Sequence, residues 1–113
     1  MIACGHLSWI NFDPQTGREA GRAAQRKNRP ALVLTPRAFN ALTGLLVACP
    51  MTRTERPWQT RVRLTGGGTS GFVMVEQVRS FDWRKRGAGL IENVPASVLE
   101  DVRLRLAAML DFA

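Results

Sequence analysis

"RPALVLTPRAFNALTGLLVACPMT", residues 29–52, decides the fold. Its first apolar run, Pro30 to Leu34, is short and bounded by punctuation, and predicts a buried strand. "PRAFNALTG" then predicts a short helix. Thr35 can cap it, Pro36 suits its first turn and Gly44 stops it. "LLVACPMT" predicts a further strand, broken at Pro50, which has no N–H to give to a ladder and so marks a strand end or a bulge. A strand, one short helix and a returning strand place Arg29, at the start of the first, and Thr52, at the end of the second, near one rim of a sheet.

Outward toward the N-terminus, "HLSWINF" sets Leu7, Trp9 and Asn11 against Ser8, Ile10 and Phe12, a mostly buried strand. "DPQTG" is a turn. The Ala- and Arg-rich stretch up to Asn28 has no clean apolar face and is a long basic loop, 13–28. Toward the C-terminus, "QTRVRLT" has a dry face of Val62 and Leu64 and a basic face of Arg61 and Arg63. "GGGTSG" lacks the strand, helix and Lys-Ser/Thr context of a phosphate loop and predicts a plain hairpin connection. "FVMVEQVRSFD" predicts one strand that bends before "WRKRG", and "GAGLIENV" a last short one. In "PASVLEDVRLRLAAMLDF" the residues Val98, Val102, Leu106 and Met109, flanked by Leu99 and Leu110, form one stripe at helical spacing. Leu104 falls off that stripe and is either exposed or at a subunit contact. This order of elements predicts an α+β, mainly β fold in one domain, 1–113: a small twisted antiparallel sheet, partly closed into a barrel, with a short helix and a C-terminal helix.

The chain has 113 residues, of which 45% are apolar and 22% charged, values that suit a globular domain and not a disordered chain. No apolar run is long enough to span a membrane, and "MIACGHLSW" has neither a basic n-region nor an apolar h-region; a cytoplasmic protein is the expectation. Cys4 and Cys49 form no CxxC pair, and with one histidine, His6, no metal-ligand spacing can be assembled. Cys49 is expected to be buried in a strand, and His6 to be a surface or capping residue. The net charge is +7, and it is uneven: the segment before Gly87 holds 14 of the 16 basic residues and 5 of the 9 acids, a net of +9, against −2 in the remainder. Basic clusters at 18–29, 53–63 and 79–86 point to a polyanion such as nucleic acid.

There is no Ser-His-Asp set, no HExxH and no Walker loop. The reactive candidates are a cation and a hydroxyl, Arg29 and Thr52, which side by side can hold the charge of a phosphorane-like transition state; alone, Thr52 is equally explained by a turn hydrogen bond. Glu19, in the long loop, is a candidate general base, or a solvated partner of Arg18 or Arg22. Glu76 is placed to orient Arg29 or move a proton, or to form an ion pair with Arg79 or another cation. Trp58, among Arg53, Arg56 and Arg61, can stack an unpaired base or anchor its loop; Trp83, followed by cations, poses the same choice.

Four pieces of the chain, "WINFDPQTG", "RPALVLTPRAFNALTGLLVACPMT", "GFVMVEQVRSFDWRKRG" and "VPASVLEDVRLRLAAML", resemble the MazF/PemK toxin endoribonucleases of type II toxin–antitoxin systems, in order and in spacing. The resemblance implies an SH3-like, partly closed barrel. It implies a homodimer that cuts single-stranded RNA, messenger RNA included, at short motifs. No metal or other cofactor is needed: the 2′-hydroxyl attacks its own phosphate and leaves 2′,3′-cyclic phosphate and 5′-hydroxyl ends. It also implies a cognate antitoxin whose acidic C-terminal segment covers the RNA groove, and no membrane partner. By resemblance Arg29 stabilises the phosphorane, Thr52 donates to it, and Glu19 is the loop base. Glu76 stands where the family has Asp, and Arg84 and Arg86 match family arginines that contact phosphate or hold the fold and dimer. Arg26, Lys27, Arg53, Arg56 and Trp58 join Arg84 and Arg86 as RNA-binding candidates. The chain departs from the family between Glu19 and Arg29, where "AGRAAQRKN" is longer than usual, so that Gln25 rivals Glu19 for the loop position. The other readings of the same fold are a binding module that has lost cleavage and a gyrase-targeting toxin.

Overall fold

The computed structural model describes residues 2–11, 28–65 and 68–111. In chain order the elements are β1 (His6–Asn11), β2 (Asn28–Val33), α1 (Arg37–Thr43), β3 (Leu45–Thr52), β4 (Arg61–Leu64) and β5 (Gly71–Met74). A 3-10 turn (Val75–Gln77), β6 (Arg79–Asp82), α2 (Trp83–Arg86), β7 (Ala88–Asn93) and α3 (Ala96–Met109) follow. All ladders are antiparallel, in the order β4-β5-β3-β2-β1-β7, with β6 also paired to β3. The expected mainly-β class holds. The sheet is open, since β4 and β7 end the ladder rather than meeting. The loop expected over 13–28 lies outside the described residues, apart from Asn28.

β2 explains why its sequence is apolar throughout: both of its faces are covered. Leu32 joins Leu7, Cys49, Met51, Val62, Leu64, Val73 and Val75 in one cluster, closed by Val102 of α3. Its neighbours Ala31 and Val33 point the other way, into a cluster with Ile10, Leu46, Ala48 and Phe81. Val98, Leu99 and Leu106 pack on the first cluster as the helical stripe predicts, whereas Met109, Leu110 and Leu104 are exposed.

Three local expectations are corrected. β3 runs through Pro50 without a break. Val47 offers both its C=O, to Leu34, and its N–H, to Thr35, on the β2 side. Alternation turns the Pro50 nitrogen to the opposite side, where the 3-10 turn interrupts the ladder, so no hydrogen bond is lost there. "FVMVEQVRSFD" is two strands and not one. β6 pairs with the N-terminal half of β3, Leu45 to Ala48, and β5 with its end, Met51 and Thr52; the turn at Val75–Gln77 takes up the change of register between them. Thr35 does not cap α1. Its hydroxyl donates to Asn40 Oδ1 at 2.6 Å and accepts from Val47 N–H, which satisfies the fully buried Asn40 and ties the helix to β3. Gly44 ends α1 as expected, at φ 75°.

Candidate functional site

The β2–β3 ladder pairs Ala31 with Pro50 and Leu32 with Cys49. Continuing that register by two residues sets Arg29 opposite Thr52. Both line a cleft of about 560 Å³ at the strand ends, together with Trp9, Arg53 and residues 68–70. A cation and a hydroxyl on adjacent rigid strands, facing open solvent, can hold two oxygens of one phosphate. Thr52 Oγ1 accepts the Thr54 N–H at 3.2 Å. The turn bond that competed with a catalytic role is therefore present, and it fixes the oxygen while leaving the hydroxyl proton to donate. Among the described residues Arg29 has no carboxylate within ion-pair distance.

Glu76 is elsewhere occupied. It pairs with Arg61, with Nη2 at 2.9 Å and Nε at 3.0 Å, and both side chains are largely out of water. Burial pushes its carboxyl up, but hydrogen bonds from Thr60 and Arg61, and from the backbone, outweigh that and hold it below the ordinary glutamate value. Of the readings the sequence left open, the structure gives Glu76 the ion pair with a cation other than Arg79, namely Arg61. A cation from a different strand won because the β4–β5 hairpin brings Arg61 opposite Met74, beside the start of the 3-10 turn. Arg61 in turn lies over Trp58, 4.5 Å from the ring centroid, and donates to Thr54 C=O. Trp58 is half exposed, with one face held by this arginine.

Arg84 and Arg86 belong to α2, four residues that follow the bend expected before "WRKRG" and to which the sequence reading gave no helix. Asp82 caps this helix by accepting the Lys85 N–H. Arg84 donates to Ala41 C=O at 2.5 Å and stacks on Trp83; Arg86 donates to Asn11 C=O at 3.0 Å. Of their two expected roles, the contacts favour holding the fold. Trp83 is likewise an anchor, its indole N–H bound to Asn40 C=O. Arg53 and Arg56 are exposed. Glu19, Gln25, Arg26 and Lys27 lie outside the described residues. Cys49 is fully buried, and burial first, then the nearby Glu76 charge, push its thiol up to about 12, so it is no nucleophile. His6 caps a local turn, accepting the Ala3 N–H on Nδ1.

Two features of the site escaped the sequence reading. Trp9, grouped by alternation with buried Leu7, is half exposed and walls the cleft; that exposure is set by tertiary packing and not by alternation. Arg63 lies over Phe72, 4.9 Å from the ring centroid. Alternation predicted a basic face for β4, but not which aromatic would meet it.

The chain matches the family described as PemK-like, MazF-like toxin of type II toxin-antitoxin system over residues 3–110. It is 32% identical over 106 residues to the endoribonuclease toxin MazF of Escherichia coli (strain K12), covering 94% of this chain and 91% of that protein. With Escherichia coli endoribonuclease PemK it shares 35% identity over 111 residues, 94% of this chain and 80% of that one. The crystal structure of MazF (Form-I) from Deinococcus radiodurans superposes with a TM-score of 0.83 at 43% identity, over 97% and 96% of the two chains. A MazE-MazF crystal structure (Form-II) from the same organism gives 0.81 at 41%, over 96% and 94%.

Proposed function

The chain belongs to the PemK-like, MazF-like toxins of type II toxin–antitoxin systems, and on that premise we propose how it acts as an RNA-cleaving toxin held in check by an antitoxin. The observation that supports the chemistry is the meeting of Arg29 and Thr52 in one cleft. Single-stranded RNA lies across that cleft. The 2′-oxygen of one nucleotide attacks its own phosphorus as its proton passes to a base. The new O2′–P bond forms, the P–O5′ bond breaks, and the 5′-oxygen takes up a proton. The products are a 2′,3′-cyclic phosphate and a 5′-hydroxyl. Arg29 and Thr52 bind the non-bridging oxygens where negative charge grows, and a guanidinium supplies that charge without a metal.

Glu19 remains the base assigned by resemblance. Glu76 acts at a distance, by holding Arg61 against Trp58, so that Trp58 presents its open face to a base. Arg53 and Arg56 attract the strand, with Arg26 and Lys27 of the long loop as further guides. The enzyme works as a cytoplasmic homodimer, and an acidic antitoxin segment competes for the same basic cleft. Among the described residues, no helix is long and apolar enough to cross a membrane. The deciding experiment is an incubation of the purified chain with a long unstructured RNA in EDTA. New 5′-hydroxyl ends support the reading; intact RNA under those conditions refutes it.

A further inference from the structure

Thr52 has a second cross-strand neighbour besides Arg29. On its other side β3 pairs Thr52 with Phe72 of β5, and β5 in turn pairs Phe72 with Arg63 of β4. Directly paired residues share a face of the sheet. The intervening Met51, Val73 and Val62 are buried, so they take the core face and leave Thr52, Phe72 and Arg63 in one row on the other. With strands about 4.8 Å apart, Phe72 is one strand from Thr52 and Arg63 two. The Arg63 guanidinium lies over the Phe72 ring. Its only described carboxylate contact is Glu55 Oε2 at 3.4 Å, between side chains 59% and 71% exposed, a long and solvated pair that an entering anion displaces easily.

We propose that the Arg63–Phe72 stack is an RNA subsite for a nucleotide flanking the one cut at Arg29 and Thr52. The base stacks on the outer plane of the guanidinium, which the phenyl ring holds flat from behind, and the Arg63 N–H edge takes the adjoining phosphate in place of Glu55. An acidic peptide would satisfy the charge of Arg63 but has no use for a planar stacking surface, and this favours RNA. The proposal rests on the reading of the Arg29–Thr52 cleft as the cleavage site.

The test measures fluorescence anisotropy of a fluorescein-labelled 2′-O-methyl RNA single strand of mixed sequence, which the enzyme cannot cut. Arg63→Gln and Phe72→Leu should each weaken binding about tenfold, the low end of what a stacked base contributes, and Glu55→Gln should tighten it. Arg63→Gln and Glu55→Gln replace exposed side chains, so folding does not confound them. In cleavage of unstructured RNA, Arg63→Gln should raise KM while kcat stays within about twofold, and it should relax the base preference beside the cut. Binding by Arg63→Gln and Phe72→Leu within about twofold of wild type overturns the subsite. So does a loss by Arg63→Gln confined to a poly-glutamate competitor. Arg63-dependent RNA binding by a wild-type chain that yields no 5′-hydroxyl ends supports the subsite and sinks the cleavage reading instead.

Discussion

Arg29 and Thr52 reach one cleft from adjacent antiparallel strands, opposite each other at the same end of the β2–β3 ladder, one near the start of its strand and the other at the end. Neither depends on a loop for its position along the sheet. The pair should behave as one electrostatic unit: Arg29→Ala and Thr52→Ala should each lower kcat on the order of a hundredfold or more, and the double variant should lose less than the product of the two. Single-turnover cleavage of RNA in EDTA measures all three. Wild-type rates for Arg29→Ala would remove it from the mechanism.

The Glu76–Arg61 pair should be a stability element. Replacing Glu76 by Gln leaves a guanidinium only 9% exposed without its counter-ion and should cost about 1.5–3 kcal/mol at neutral pH. The carboxyl titrates lower in the fold than in the unfolded chain. Its contribution is therefore complete above the ordinary glutamate value, about 4.3, and is lost as pH falls through the lower folded value. Thermal melts from pH 7 to pH 3 should show a drop in wild type below about pH 4.3, and a flatter profile in Glu76→Gln.

Cys49 should be chemically silent. Its thiol is fully buried and titrates near 12, so iodoacetamide at pH 8 should label Cys4 in the native protein and reach Cys49 only after denaturation. Folded Cys49→Ala should cleave RNA at the wild-type rate.

Gly44 holds two things at once. Its φ of 75° suits glycine, and a Cβ there would lie 2.9 Å from Arg84 Nη1. Gly44→Ala should cost about 1–2 kcal/mol for the left-handed backbone alone and also displace Arg84 from Ala41 C=O. For a domain of this size the melting point should fall by roughly 5 °C or more. A melt unchanged from wild type would show that α1 and α2 are not coupled through this arginine.

Much of the fold is readable in the chain because β2, α1 and β3 follow one another with local signals at every joint: an apolar run, a glycine stop, a second apolar run. What could not be read is which strand meets which. "FVMVEQVRSFD" looks continuous because both of its halves are apolar; that they pair with different ends of β3 is a long-range fact. Pro50 looked like a break because the chain does not say which side of the strand its nitrogen faces. The same division runs through the site. Arg29 and Thr52 were visible as the two ends of one local unit. The partner of Glu76, 15 residues back on another strand, and the stacking of Arg63 on Phe72 depend on hairpin register, which composition does not carry.

β3 has neighbours along its whole length, β2 on one side and β6 then β5 on the other. It is the seam through which the rest of the sheet is stitched, and Thr52 is its last residue. Loosening β3 as a whole unpicks three ladders together. The strands that carry Arg29 and Thr52 are set by the fold itself, so a partner that restrains this toxin meets a cleft and does not have to build one.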